Sequence, residues 1–299
     1  MPSVQVAIID VGSNSVRLLV AAVDQGGAMR EVERDRVYLR LGDDAYHLGR
    51  IRARKLDELE FVAERFAQRA RMLGVERLET IVTAPGRQAS NADEVVDVLV
   101  DATRASVVVL SAENEARLAW EGAVSAIGAW PGTVAVVDLG GGSCEVAIGQ
   151  PGSGPPTWLR SCEVGALRVT RAFFPHTRPT RRDLWKARKG VRRLLAELEP
   201  PRPHATLAVG GTARAVGRIV GARYGAEKLD ALADRLVREG RQSIGAGLDV
   251  TQARLETLLG GTVVLAEVAR RLDTKLEIGR GGLREGAARA LARLESAAA

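Results

Sequence analysis

The sequence predicts an α/β protein made of two related halves. Two observations carry that expectation. Short Val/Ile-rich runs alternate with stretches of strong helix formers, while aromatic residues make up only 4% of the chain. One loop also occurs twice, as Ala7-Ile-Ile-Asp-Val-Gly-Ser-Asn-Ser15 and as Ala135-Val-Val-Asp-Leu-Gly-Gly-Gly-Ser143. Asp10 matches Asp138, Gly12 matches Gly140 and Ser15 matches Ser143, each pair 128 positions apart. A short Asp-x-Gly match is common by chance. Its repetition at a domain-sized interval, with an apolar strand on either side, indicates a duplicated unit. The 299 residues are enough for two domains with cores of their own.

The elements follow in the same order in each half. Residues 4–10 and 15–23 flank the first turn as strands, and 30–40 reads as a third, more polar strand. Residues 55–73 keep Leu56, Leu59, Val62, Phe66, Ala70 and Leu73 on one face of a helix, and Gly74 stands where a helix C′ glycine belongs. Strand 79–83, helix 91–102, strand 106–110 and helix 113–127 complete the half. Strands 133–138 and 144–149 flank the second turn, and 158–164 follows the Gly/Pro-rich 150–156 as a third strand. A long basic helix over about 180–198 precedes Pro200-Pro-Arg-Pro203. Strand 205–209 runs into a helix at Gly210, and the remainder is mostly helical, with one strand near 275–278. Trp130-Pro131-Gly132 marks a turn ahead of the second sheet. The expected domains are therefore 1–125 and 126–299, with the last helix, about 283–295, packing back toward the first.

Composition narrows the function. Forty-three basic residues against 37 acidic give a net charge of +6 and a pI near 9.8, which favours polyanionic partners. The alternative reading is an arginine-rich proteome bias, which would account for much of that excess. Specific nucleic-acid binding is not expected, because no zinc-finger, RRM or KH signature appears and aromatics for base stacking are few. No apolar run reaches a membrane-spanning length, and residues 1–10 lack the basic start and apolar core of a signal peptide, so a cytoplasmic protein without membrane contact is expected. Cys144 and Cys162 make a disulfide framework improbable. His47, His176 and His204 show no metal-ligand spacing.

The repeated turns carry the candidate chemistry. Glycines 140–142 let a ligand approach several backbone N–H groups with no Cβ in the way, and Ser143 adds a hydroxyl. A hairpin turn alone needs no triple glycine, so phosphate binding is the favoured reading. Gly12, Ser13, Asn14 and Ser15 are the counterparts in the first copy. Asp138 and Glu145 flank the second turn, where two carboxylates suit Mg²⁺ with phosphate oxygens completing the shell. A solvated strand residue is the alternative for Glu145. Asp10 is the matching carboxylate in the first half, where Arg17 takes the place of Glu145. One half thus looks metal-directed and the other phosphate-directed.

Other segments are weaker in isolation. Ser111 is a candidate N-cap for a helix opening with Glu113, Asn114 and Glu115. Glu113 fits a helix-dipole complement, while Glu115 can face a ligand and orient a water. Arg87 leaves a strand end in a loop and can bind phosphate bidentately, or can simply be solvated. Gly210, Gly211 and Thr212 form a strand–glycine–helix junction able to take a phosphate at the helix N-terminus. Leu283-Arg-Glu-Gly286 fits a cap or an intrahelical ion pair. The basic run from Arg178 to Arg193 reads equally well as a solvated face or as a polyanion track.

The repeated order resembles the actin, sugar-kinase and Hsp70 superfamily, which implies two ribonuclease H-like domains flanking an interdomain cleft. More specifically, an ordered set of segments resembles the exopolyphosphatase / guanosine pentaphosphate phosphohydrolase (Ppx/GppA) family over nearly the whole chain, in its short two-domain form. The set comprises Asp10–Ser15, Arg40-Leu-Gly42, Thr83–Asn91, Ser111–Arg117, Asp138–Glu145, Gly165-Ala-Leu-Arg-Val-Thr170, Gly210-Gly-Thr212 and Leu283-Arg-Glu-Gly286. The resemblance implies Mg²⁺-dependent release of the terminal phosphate of inorganic polyphosphate, with Mn²⁺ as an alternative metal. Guanosine pentaphosphate is the alternative substrate. It also implies Glu115 as catalytic base, Asp138 and Glu145 with the metal, phosphate binding by Ser13, Asn14, Arg87 and Gly140–Ser143, and a homodimer. Ala84-Pro85-Gly86 and Gln88 depart from the family's Thr-Ser-Ala-hydrophobic-Arg-Asp-Ala pattern, Asn114 replaces a glutamate, and Arg254-Leu-Glu256 replaces Arg-Ala-Asp. Pro85 removes a backbone donor, so a reshaped Arg87 loop is expected. An ATP-using enzyme of the same fold and a non-catalytic polyphosphate or alarmone sensor remain the other readings.

Overall fold

The computed structural model describes residues 3–298, with side chains as far as Leu294. The chain divides into two compact units, one running to Leu118 and resumed at Leu283, the other spanning Ala119–Gly282. In chain order the elements are β1 (Ser3–Val11), β2 (Val16–Asp24), β3 (Met29–Val37), α1 (Leu41–Leu48), α2 (Ala53–Met72), β4 (Arg77–Val82), α3 (Ala84–Gln88), α4 (Ala92–Thr103), β5 (Ser106–Val109) and α5 (Ala112–Val124). They continue as β6 (Val134–Leu139), β7 (Cys144–Gly149), β8 (Trp158–Cys162), α6 (Ala166–Phe173), α7 (Arg181–Leu194), β9 (Ala205–Val209), α8 (Gly210–Val220), β10 (Arg223–Tyr224), α9 (Ala226–Glu239), α10 (Arg241–Gly245), α11 (Gln252–Leu272), β11 (Leu276–Ile278) and α12 (Leu283–Ala298).

The first unit has a five-stranded sheet in the order β3-β2-β1-β4-β5. β1, β2 and β3 form an antiparallel meander, and β4 and β5 add in parallel beside β1. Helix α2 buries Leu56, Leu59, Val62, Phe66 and Ala70 in the unit's core, the face set by their helical spacing. α2 is followed by Gly74 at φ 74°, a conformation that favours glycine. In the second unit the order is β10-β11-β9-β6-β7-β8, again an antiparallel meander (β6-β7-β8) with a parallel strand, β9, beside its first member. This repeated mixed sheet is the ribonuclease H-like arrangement expected from the sequence. Among the described residues no helix is long and apolar enough to cross a membrane.

Three helices were not foreseen. The third strand stops at Val37 rather than 40, because Arg40 turns left-handed (φ 55°) and α1 begins at Leu41. Residues 84–88, expected as a reshaped loop, form the short helix α3. Pro85 sits in its first turn, where its missing N–H would have had no intrahelical partner anyway. Residues 166–173 form α6.

α1 and α6 do the same thing in the two units. Each turn closes with the same hydrogen bond, Gly12 N–H to Ser15 O (3.1 Å) and Gly140 N–H to Ser143 O (3.0 Å). In the first unit, amides at the start of α1 hold the turn's carbonyls: Arg40 N–H donates to Asn14 O (3.1 Å) and Gly42 N–H to Ser13 O (2.8 Å). In the second, Gly165 N–H donates to Gly142 O (3.2 Å), Ala166 N–H to Gly140 O (2.9 Å), and Leu167 and Arg168 N–H to Gly141 O (3.0 and 3.1 Å). The first N–H groups of a helix have no intrahelical acceptor, so these bonds satisfy helix and turn together. With its carbonyls anchored below, a turn keeps its own N–H groups for a ligand.

The latch needs backbone against backbone at Gly165, where a Cβ would run into Gly141 O. Gly165→Ala is therefore expected to displace α6 from the turn. The expected cost is about 1–3 kcal/mol of stability, measured by urea unfolding, together with weakened phosphate binding measured by calorimetry.

Candidate active site

In the first unit the carboxyl ends of three parallel strands lie side by side. Val11 is in register with Val82 and Val82 with Val109. Thr83 N–H donates to Val11 O (3.1 Å) and Leu110 N–H to Val82 O (2.9 Å). The turn after β1, the start of α3 and the start of α5 thus share one sheet edge, the usual place for ligands on such sheets.

Asp10 is in register with Arg17 across the β1–β2 pair and is 6% exposed. Arg17 Nη1 lies 3.9 Å from its carboxylate, and Arg284 Nε, from the first turn of α12, lies 3.8 Å away. Arg17 Nε also donates to Ser15 Oγ (3.0 Å). Arg284 is 4% exposed. Burial pushes its guanidinium down to about 10, with the like charge of Arg17 acting in the same sense and Asp10 opposing, so it stays cationic at neutral pH. Its Nη1 and the Oδ1 of Asn14 are buried with no hydrogen-bond partner in the protein. A buried guanidinium N–H left without an acceptor beside the turn suits an oxyanion, whereas the Asn14 Oδ1 needs a donor such as water or a protonated ligand oxygen.

Along the same edge, Ser111 Oγ accepts from Asn114 N–H (3.1 Å) at the start of α5. Glu113 and Asn114 are exposed, whereas Glu115 is 7% exposed. Arg87 Nη2 pairs with Glu115 Oε2 at 2.8 Å, and Arg87 Nη1 donates to Leu110 O (2.7 Å). Arg87, expected as a phosphate ligand, here ties Glu115 to the end of β5. α3 makes this reach possible by lifting Arg87 off the strand in one turn of helix.

In the second unit, Asp138 and Glu145 are register partners, so both carboxylates leave the same face of the β6–β7 pair. Glu145 is 2% exposed, and Ser161 Oγ on β8 donates to its Oε1 at 2.7 Å. Between them stand Gly140–Ser143, with the carbonyls of the three glycines held by α6 and the bordering Gly165. β9 ends beside β6, with Val209 in register with Asp138. Gly210 follows at φ 88°, and a Cβ there would lie 2.9 Å from Asp138 Oδ1. A Cβ on Gly211 would strike the Arg254 guanidinium, which is buried over it and donates to Thr212 Oγ1 (3.0 Å). Gly210, Gly211 and Thr212 therefore leave room for Asp138 on one side and Arg254 on the other.

The donor chemistry of Asp138 and Glu145 fits a hard divalent cation. Two carboxylates face one way at the mouth of a turn rich in N–H groups, as Mg²⁺ sites with one or two protein carboxylates and phosphate oxygens require. Asp10, the third carboxylate singled out by the repeat, sits instead between two guanidinium groups. Among the described residues there is no cluster of three or more His, Cys, Asp or Glu side chains able to hold a metal alone.

Four residues of these edges had no reading as site groups in the sequence: Thr83, Ser161, Arg254 and Arg284. Thr83, Arg254 and Arg284 lie in segments that the family resemblance marks, and that marking is the available signal; Ser161 carries none. Glu285, next to Arg284, accepts from Arg34 Nη2 on β3 (2.8 Å). Burial alone would raise its carboxyl, but Arg284 and Arg34 outweigh burial and hold it below the usual range. A depressed carboxyl contributes stability that is present above its unfolded value near 4.5 and is lost as the pH falls through the folded value. Glu285→Gln is expected to lower stability at neutral pH and to flatten the loss on acidification. Unfolding midpoints measured from neutral pH into the acid range test this, and an unchanged acid limb would contradict it.

The Ppx/GppA phosphatase family matches residues 19–293. Exopolyphosphatase 1 of Mycobacterium tuberculosis is 29% identical over 302 residues, covering 94% of this chain and 86% of its own length. Exopolyphosphatase 2 of the same organism is 28% identical, covering 93% and 94%. A crystal structure of an exopolyphosphatase-like protein superposes with a TM-score of 0.88 at 25% identity, over 99% of this chain and all of that one. The Aquifex aeolicus Ppx/GppA family member shares the fold with a TM-score of 0.81 at 23% identity, over 98% and 99%. A duplicated turn, matched strand for strand and read together with these likenesses, makes this chain a member of the Ppx/GppA phosphatase family.

Proposed function

We propose that the protein is an exopolyphosphatase that releases the terminal phosphate of inorganic polyphosphate with the help of Mg²⁺. The observation that carries this reading is the unequal pair of turns. Both present backbone N–H groups over anchored carbonyls, but one is flanked by Asp10 with Arg17 and Arg284, and the other by Asp138 with Glu145. The first environment is suited to phosphate oxygens alone, the second to phosphate oxygens with a metal. The curated relatives named as exopolyphosphatases support the same substrate class.

Glu115 is the proposed base. Its carboxylate takes a proton from the attacking water while Arg87 fixes its orientation. Water attacks the terminal phosphorus in line, the bond to the bridging oxygen breaks, and the shortened chain leaves as a phosphate anion. In this reading each turn, Ser13–Ser15 in one unit and Gly141–Ser143 in the other, would offer N–H groups to phosphate oxygens. Phosphoryl transfer needs mostly such positioning and charge stabilisation. Asp138 and Glu145 would hold Mg²⁺, directly or through water, and Mn²⁺ accepts the same oxygen donors. The bound ion would supply neutralisation of phosphate charge. Ser161 orients Glu145 for that role.

Phosphate release from long-chain polyphosphate, tripolyphosphate, guanosine pentaphosphate and ATP, each with Mg²⁺ and with EDTA, tests the proposal. Release from polyphosphate that EDTA abolishes is expected. Preferential release from guanosine pentaphosphate would move the substrate to the alarmone, and preferential release from ATP would overturn the assignment. Glu115→Gln is expected to lower kcat by about 10²–10⁴ with little change in polyphosphate affinity. Equal rates for variant and wild type would remove Glu115 from the mechanism.

A further inference from the structure

The basic run on α7 offered two readings, a solvated face or a polyanion track, and the structure separates its members. α7 starts at a capping box in which Thr180 Oγ1 accepts from Asp183 N–H and the Asp183 carboxylate accepts from Thr180 N–H. It buries Leu184, Ala187 and Val191. Arg188 is tied down by Asp230 and Asp234 on α9 (3.3 Å each), and Arg192 approaches Glu267 on α11 (3.7 Å). These two arginines clamp the helix to its neighbours.

Arg182, Lys186, Lys189 and Arg193 differ. At about 100° per residue their spacing of four, three and four places them within one narrow stripe, opposite the buried one and about 16 Å long. All four are exposed. Among the described residues none lies within ion-pair distance of a carboxylate, and Lys189 instead stands over the ring of Trp185 at 5.3 Å. Arg182 also stands in the first turn, where the helix dipole disfavours a cation. Lys186 feels a nearby carboxylate, that of Asp183 one turn earlier, which is already engaged in the capping box. Four exposed cations in a row, none of them in an ion pair and one placed against the helix's own field, form a surface complementary to a linear polyanion.

We propose that this stripe is a docking track for inorganic polyphosphate, binding a part of the chain remote from the end being hydrolysed. The proposal rests on the exopolyphosphatase reading for its ligand. A chain of phosphates with one charge per unit and no bases matches a row of cations without further recognition elements. Nucleic acid is the less suited polyanion: single strands are held by successive stacking aromatics, and Trp185 is the one aromatic on α7, already engaged by Lys189. The track favours long chains, which can occupy all four cations, over tripolyphosphate, which is shorter than the stripe.

The test compares wild type with the quadruple variant Arg182→Gln/Lys186→Gln/Lys189→Gln/Arg193→Gln. A control removes the same charge elsewhere, through Arg54→Gln/Arg65→Gln/Arg223→Gln/Arg235→Gln. Equilibrium binding of long-chain polyphosphate, tripolyphosphate and single-stranded RNA is measured in EDTA, where turnover does not intervene. The stripe variant is expected to bind long chains about tenfold more weakly or worse, to lose about 3 from the slope of log affinity against log salt, and to keep tripolyphosphate binding and kcat. The control is expected to behave as wild type. Long-chain affinity unchanged in the stripe variant, an equal loss in the control, or a loss confined to RNA would each overturn the proposal. Should the quadruple variant fail to fold by circular dichroism, Lys186→Gln/Lys189→Gln is read by the same criteria. Stripe-dependent binding in a protein that hydrolyses no polyphosphate would sink the hydrolase reading and leave the track. Hydrolysis with stripe-independent affinity would sink the track alone.

Discussion

Everything proposed for the two turns depends on where their carbonyl groups point. A tight turn presents both N–H and C=O groups, and an anion tolerates only the former. Here the unsatisfied first amides of α1 and α6 draw the carbonyls of Ser13 and Asn14, and of Gly140–Gly142, to the protein side. A helix N-terminus that could itself have faced a ligand is used as an anchor instead. The exchange replaces the loose, divergent amides of a helix end by the convergent amides of a fixed turn. It also explains why Arg40 accepts a left-handed backbone (φ 55°) that costs a non-glycine residue on the order of 1 kcal/mol: this conformation aims its N–H at Asn14 O.

On that shared frame the side chains diverge. The residue paired with the strand-end aspartate is arginine in one unit and glutamate in the other, so the same backbone gives a cationic and an anionic surrounding. In the first unit the positive charge is reinforced from far along the chain by Arg284, whose burial is tolerated because the carboxylates of Asp10 and Glu285 oppose it. In the second the carboxylates are kept close by the pairing of β6 with β7, and Ser161 satisfies one Glu145 oxygen. Charge placement rather than backbone shape therefore distinguishes the proposed tasks of the two turns.

The parts legible in the sequence were those with a local signature. Alternating apolar strands, the 3.6-residue pattern of α2 and the repeated Asp-x-Gly-x-x-Ser gave the sheets, their order and the turn residues. The segments that escaped were short and carried contrary local signals. α3 contains Pro85 and Gly86, and α6 is eight residues long and hidden inside a recognisable motif. Both owe their conformation to partners outside themselves: Glu115 through Arg87 for the one, the glycine turn for the other. Site groups were missed for the same reason. The Arg284–Asp10 and Arg254–Thr212 contacts join residues far apart in sequence, and nothing beside either arginine announces its partner. The sequence marks Arg87 as a candidate phosphate ligand, whereas its grip on Glu115 comes from tertiary geometry that no local pattern announces.

The return of α12 to the first unit has a consequence for how the protein is made. The whole of Ala119–Gly282 is an insertion within the first unit. Asp10 must wait 274 positions for Arg284, while Asp138 meets Glu145 after seven. During synthesis the second turn is electrostatically complete as soon as its hairpin forms, whereas the first remains a carboxylate with half its countercharge until the last helix docks. The order of assembly is thus written into the connectivity: the half with the paired carboxylates matures early, and the half bearing Glu115 gains its final arginine only after the inserted unit has been synthesised.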